Sequence, residues 1–202
     1  MDQFFQWGNW LNSILENPPT TLTTARLVLR RFTPDDAAAL FNIFSNPEVM
    51  RFWSSPPFTK LAEAEKKIED ALEHYTAGTA YPLAVMRVDG GDVIGNCTLW
   101  NFHRQNRRAE VGYVLARPFW GHGYMHEAMG AMIDFAFCKM QLHRLEADID
   151  PRNMASAKIL ERLGFQREGL LRERWIVDGE VSNSALYGLL AAEWKHAQSI
   201  ST

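Results

Sequence analysis

The chain has 202 residues, of which 47% are hydrophobic and 22% charged, with a formal net charge of −3. That size and balance describe one soluble globular domain with a sizeable core, and the weakly acidic total excludes nucleic acid as a bulk electrostatic partner. Two cysteines, Cys97 and Cys138, form no C-x-x-C pair, which excludes a disulfide framework and a structural zinc and fits a reducing, cytoplasmic setting.

The first ten residues hold Asp2 and no Lys or Arg, unlike a signal peptide, and no apolar run is long enough to span a membrane. Phe4, Trp7, Leu11, Ile14 and Leu15 share one face of a short helix that Pro18 and Pro19 end. Residues 1–20 are thus expected to form a helical arm that packs on its own domain, makes a dimer contact or covers the site. The domain proper is expected over 21–196, with 197–202 as a tail.

Arg26 to Phe32 alternates as a first strand. Thr33-Pro34-Asp35-Asp36 starts a helix, with Thr33 as cap, Pro34 in the first position and acids at the positive end of the dipole. Its stripe is Ala37, Leu40, Phe41 and Phe44, and Asn46-Pro47 is read as its stop. After the aromatic, proline-rich loop around Phe52-Trp53, Thr59 opens a second helix whose apolar side runs from Leu61 to Tyr75. Tyr81–Arg87 and Val93–Trp100 form a hairpin about Asp89-Gly90-Gly91-Asp92, with a bulge expected at Gly95. Arg104, Arg107 and Arg108 read as a solvated loop before the strand Ala109–Leu115.

That strand runs into Arg117-Pro118-Phe119-Trp120-Gly121-His122-Gly123-Tyr124 and then a long helix to about Lys139. Leu142–Ile149 is a strand. A helix from Arg152-Asn153 ends at Gly164, and two strands with a turn at Asp178-Gly179 complete the chain. The order predicts an α+β fold with a mixed, mostly antiparallel sheet and helices on both faces. The helical crossover makes Ala109–Leu115 and Leu142–Ile149 parallel neighbours.

The glycine turn is the strongest chemical signal. Strand, turn and helix leave unpaired N–H groups at a helix start, where the dipole favours a phosphate. The turn lacks the Gly-Lys-Ser/Thr of a Walker loop, and His126 stands where a dinucleotide fingerprint needs a small residue. On its own, G-x-G equally describes a tight packing turn.

Gly112-Tyr113-Val114-Leu115, Trp120-Gly121-His122-Gly123-Tyr124, Asn153-x-x-Ser156 and Glu161-Arg162-Leu163-Gly164-Phe165, in this order and spacing, resemble the GNAT superfamily of acetyl-CoA-dependent N-acetyltransferases. Together with Thr24–Arg30 they are similar to its branch acting on ribosomal-protein N-termini (Rim-type), over about Leu22 to Trp194. Two positions depart from the pattern: Pro118 stands where Gln or Arg is usual, and His122 where Lys is common.

The resemblance implies a sheet splayed at its two parallel strands, with a pantetheine arm in the gap near Val114, Leu115 and Ala116. It implies a pyrophosphate held by the N–H groups of Trp120, Gly121, His122, Gly123 and Tyr124. Asn153 would contact the cofactor or cap its helix, and Ser156 likewise. Acetyl-CoA is then the co-substrate, no metal is needed, and the partner is an amine acceptor. Nucleic acid and membrane are not expected partners, and the chain is a monomer or homodimer.

Direct transfer to an amine needs a base, an oxyanion donor and a way to release the thiolate. Glu110 is the candidate base, because an acid on a central strand is costly to bury unless used or paired. Its alternative is an ion pair with Arg108 or Arg107. The family's tyrosine acid has no counterpart at Leu160 or Glu161. Tyr113 and Ser156 are the candidates left.

Three functions follow: acetylation of a peptide or protein N-terminus, acetylation of a small amine such as a polyamine, amino acid or aminoglycoside, or acyl-CoA sensing without turnover. The acceptor groove is expected from the Phe52-Trp53 loop, the first two helices and the loop before Ala109. Those segments are aromatic and poor in acids.

Overall fold

The computed structural model describes residues 21–194. The expected helical arm at 1–20 and tail at 197–202 lie outside the described residues. Eight strands form one sheet: β1 (Thr21–Thr23), β2 (Leu27–Arg30), β3 (Tyr81–Arg87), β4 (Val93–His103), β5 (Arg108–Leu115), β6 (Arg144–Ile149), β7 (Gln166–Val177) and β8 (Glu180–Leu190). Their order is β1-β2-β3-β4-β5-β6-β8-β7. Every neighbouring pair is antiparallel except β5 and β6, as the crossover requires.

The helices are α1 (Ala37–Phe44), α2 (Pro47–Met50), α3 (Leu61–Ala77), α4 (Tyr124–Asp134) and α5 (Met154–Arg162). Alternation along the strands gives the sheet two different faces. Leu83, Cys97, Leu99, Val111 and Leu145 face the core beneath α4 and α5. Ala84 and Val114 face a second core made with α1, α3 and the aromatic residues Phe44, Trp53 and Phe58. The helices thus cover both faces.

Several elements differ from expectation for local reasons. Asn46-Pro47 does not merely stop α1. The Asn46 side chain accepts from the Glu48 and Val49 N–H groups and caps α2, with Pro47 in its first position. α3 begins at Leu61 rather than Thr59, because Glu63 reaches back to the N–H groups of Thr59 and Lys60. The last turn of the long helix widens into a π-turn at Phe135–Lys139. Val85 opposes Gly95 while Met86 opposes Val93, so the extra residue of the bulge is Ile94. Gly95 is needed for another reason: a Cβ there would lie 2.3 Å from the Val114 carbonyl oxygen.

The start of α1 is fixed by Asp36, whose side chain is 7% exposed. Its carboxylate accepts two hydrogen bonds from the Arg30 guanidinium at 2.7 Å and one from the Thr33 N–H at 2.7 Å. Burial opposes the charge, but Arg30 and Thr33 outweigh it and hold the Asp36 pKa below the usual carboxylate range. A depressed native pKa adds stability above the unfolded value of about 3.9, and that stability is lost as pH falls through the native value. Denaturant unfolding should therefore show wild-type stability falling as pH drops below about 4. Asp36→Asn should be less stable at neutral pH and show a flatter acid dependence.

Candidate active site

The site is opened by the backbone. β5 and β6 pair only at Arg108–Arg144, Ala109–Leu145 and Glu110–Glu146. Beyond Glu110 and Glu146 both strands continue, but not against each other. β5 stays paired with β4 up to Leu115, and β6 with β8 up to Ile149. At the closed end Arg108 bonds Glu146 at 2.5 Å, Arg144 bonds Glu146 at 2.8 Å, and Arg144 also pairs with Glu168. Arg108, expected in a solvated loop, is thus part of this ladder.

The edge that β5 turns to the gap follows from three contacts. The Ala116 N–H donates to the Ile94 carbonyl on β4, and the Ala116 carbonyl accepts from the Phe119 N–H. The Val114 carbonyl also lies against β4, at Gly95. A strand's hydrogen-bonding direction alternates with every residue, so the groups facing the gap belong to Tyr113 and Leu115. The expectation for Val114 and Ala116 is corrected by one residue: their polar groups are taken up by β4 and the following turn. The Leu115 carbonyl accepts from the Trp120 indole N–H at 2.7 Å.

At the top of β5, Gly121 and Gly123 adopt φ of +80° and +78°, a region open to glycine but strained for other residues. Among the described residues, the N–H groups of Gly121, His122, Gly123, Tyr124 and Met125 have no backbone acceptor, whereas the Glu127 N–H bonds the Gly123 carbonyl. The Trp120 N–H bonds the Arg117 carbonyl and the Trp120 carbonyl contacts His122 Nδ1, so this residue braces the turn. The site also has a cation that sequence reasoning missed. Arg26 donates to the His122 carbonyl at 3.0 Å and to Glu127 at 2.6 Å, and stands 4.7 Å over the Tyr124 ring. Burial opposes charge on Glu127, but Thr24 and Arg26 hold its pKa low. No short-range signal marks Arg26, which meets the turn from 96 residues away.

A cleft of about 690 Å³ passes through the gap between β5 and β6. On the α1 side it is lined by Glu110, Gly112 and Trp100, and on the α5 side by Tyr113, Asn153 and Ser156. Glu110 stands at the last paired position, opposite Trp100 on β4, and is half-buried. The alternative ion pair with Arg108 is not formed, since that guanidinium goes to Glu146. Instead Asn101 donates to Glu110 Oε1 at 2.6 Å. Asn101 has φ +52° beside a register shift in β4, a left-handed conformation that asparagine tolerates. The Trp100 ring lies on Gly112, where a Cβ would come within 2.7 Å of it.

The Tyr113 hydroxyl donates to the Ser156 carbonyl at 3.2 Å. Burial is the main force raising its pKa, which keeps it protonated but makes it a weaker acid. Asn153 Oδ1 accepts from the Ser156 N–H and caps α5. Its capping role uses Oδ1 and leaves its amide N–H groups directed elsewhere.

The groove differs from expectation in its acids. The loop between Asn101 and Arg108 does not line it; β6 and the β7–β8 hairpin do, adding Asp148, Asp150, Asp178 and Glu180. Three of these are paired: Arg174 with Asp148, and Arg152 with both Asp150 and Glu180. Asp148 also accepts from Ser184, which receives the Trp175 indole N–H at 3.0 Å.

Residues 26–166 match the family model described as an acetyltransferase (GNAT) domain. The chain is 36% identical to the uncharacterized N-acetyltransferase p20 of Bacillus licheniformis, covering 86% of this chain and 98% of that protein. It is 27% identical to the ribosomal protein uS5-alanine N-acetyltransferase of Escherichia coli, over 88% and 94% of the two chains. Mycobacterium smegmatis RimJ in complex with CoA-disulfide superposes with a TM-score of 0.76 at 25% identity, over 90% of this chain and 96% of that one.

Replacing Gly123 with Ala should strain the turn by about 1–2 kcal/mol and shift its N–H groups. CoA affinity measured by calorimetry should fall about tenfold or more. Unchanged affinity would show that the phosphates are held elsewhere.

Proposed function

The chain belongs to the GNAT acetyltransferase family, and from that premise we propose that it moves the acetyl group of acetyl-CoA to the α-amine of a peptide or protein N-terminus. The observation that carries this reading is the opening of β5 from β6 immediately beyond Glu110. It puts a carboxylate beside an open strand edge that leads on to the glycine turn.

The residues present fit acetyl-CoA. The N–H groups from Gly121 to Met125 have no backbone acceptor and lie at the positive end of α4, a setting that suits a pyrophosphate. The edge groups of Tyr113 and Leu115 suit the amides of a pantetheine arm. Arg26 offsets the charge of Glu127 beside the turn, where Pro118 and His122 bring no fixed cation. When bound, acetyl-CoA supplies the acetyl group as an activated thioester.

Glu110 takes the proton from the incoming amine, directly or through one water, with Asn101 holding its carboxylate. Trp100, Phe52 and Trp53 wall the acceptor's approach. Tyr113 keeps its hydroxyl proton on the Ser156 carbonyl and ties β5 to α5 across the gap. Ser156, which lines the same cleft, is the remaining candidate to return a proton to the departing thiolate. The name of one relative, the uS5-alanine N-acetyltransferase, supports this acceptor class.

A second reading, a small polyamine or other amine as acceptor, draws on the acids of the groove, but Asp148, Asp150 and Glu180 are already paired with arginines. Turnover of small amines with none on N-terminal peptides would replace the first reading with the second. Glu110→Gln should lower kcat by about 10²–10⁴-fold with CoA affinity unchanged. CoA binding with no turnover of any amine, and indifference to Glu110→Gln, would identify an acyl-CoA sensor instead.

A further inference from the structure

Arg152, in the connection from β6 to α5, is anchored close to its own backbone. Asp150, whose side chain is 7% exposed, accepts from the Arg152 N–H at 2.8 Å, and its main-chain carbonyl accepts from the Asn153 N–H. The same carboxylate takes Arg152 Nη2 at 2.6 Å and Nε at 3.0 and 3.1 Å. A guanidinium seated on a carboxylate through two nitrogens is fixed in orientation as well as in position. From that seat Nη1 reaches Glu180 on the β7–β8 hairpin at 2.6 Å, and the guanidinium carbon stands 5.8 Å from the centre of the Phe52 ring. The Phe52 loop, the connection into α5 and the hairpin therefore meet at one side chain, and all three line the cleft.

A guanidinium carries five N–H donors. The contacts to Asp150 and Glu180 use one each from Nε, Nη1 and Nη2, which leaves two of the five. The Arg152 side chain is 54% exposed and lines the cleft, so it is open to a ligand. Two carboxylates already balance its charge. The remaining donors thus suit a neutral oxygen, such as a peptide carbonyl, better than a third anion.

We infer that Arg152 is a specificity-determining residue: it binds a main-chain carbonyl of the acceptor some residues beyond the reacting amine, and so selects an extended peptide over a short amine. The inference rests on the reading that places the amine beside Glu110. Glu110 stands opposite Glu146, and Asp150 follows Glu146 by four residues, about 13 Å at about 3.3 Å per residue. An extended acceptor covers that distance in about four residues, which a single amino acid or a dipeptide does not reach. Asp150 fixes the fork, and Glu180 and Phe52 hold it between the hairpin and the opposite loop.

The test compares a dipeptide and a hexapeptide, both C-terminally amidated and sharing their first two residues, with acetyl-CoA and the full-length protein. The wild type should favour the hexapeptide in kcat/KM by about three- to tenfold, the worth of one net hydrogen bond. Arg152→Lys keeps a positive charge beside Asp150 but loses the planar fork. It should bring the ratio towards one, chiefly by raising KM for the hexapeptide. Glu180→Gln releases the fork from the hairpin while leaving its seat on Asp150, and should lower the ratio part of the way.

A merely structural role for Arg152 would lower turnover of both peptides alike, or lower the denaturant midpoint, and leave the ratio where it was. That result, or a wild-type ratio near one, overturns the inference while the proposed function stands. Failure of the proposed function reads differently: the wild type turns over neither peptide, and the inference falls with it.

Discussion

The structure depends on two parallel strands that pair for three residues and then part. Each is held by its outer neighbour. β5 is paired along β4, with Gly95 permitting the close approach of the Val114 carbonyl, and β6 matches β8 over six residues. The Arg108–Glu146–Arg144–Glu168 ladder ties the closed end. Ion pairs this exposed contribute little stability each, but as a connected set they fix where the separation begins. The parted edges carry main-chain groups that folding does not satisfy within the sheet. Backbone donors and acceptors need partners, so the gap leaves an open polar surface along the two strands.

The turn above β5 completes that surface by the same means. Gly121 and Gly123 adopt left-handed conformations beside consecutive N–H groups that have no backbone acceptor among the described residues, and α4 adds its dipole. Side chains adjust the field rather than create it. Glu127 sits in the first turn of α4, where an acid interacts favourably with the dipole, but its charge would oppose an anion. Arg26 compensates for it, and by stacking on Tyr124 and bonding the His122 carbonyl it also stiffens the turn.

Much of this was legible in the chain itself because it is local. The glycine turn, the helix it starts and the parallel crossover follow from residues within a few positions of one another, and Glu110 is conspicuous as an acid on an interior strand. Asn46-Pro47 was ambiguous because the same pair ends one helix and caps the next. The backbone edge was misplaced by one residue because alternation gives the period but not the phase. The phase is set by the Ala116 N–H on Ile94, a contact across strands. Arg26 and the acids of β6 and the hairpin were not legible at all. Each owes its place to elements that meet only in three dimensions.

Trp100 and Gly112 show how one contact divides the interior. With no Cβ at Gly112, the indole lies flat on β5 and stands between the cleft and a second cavity, of about 370 Å³, between α3 and the sheet. It also packs beside Glu110, leaving that carboxylate half-buried with Asn101 as a neutral donor. As the proposed base, a carboxylate in such partly wet surroundings suits an acceptor that gives up its proton readily. An α-amine, with a pKa of about 8, is partly neutral near pH 7, whereas a lysine amine, at about 10.4, is almost wholly charged. Lysine acetylation would ask for about two to three further powers of ten in deprotonation, and hence for a base more strongly enclosed than Glu110 is. Under the proposed reading, the environment of the carboxylate suits the less basic of the two amines.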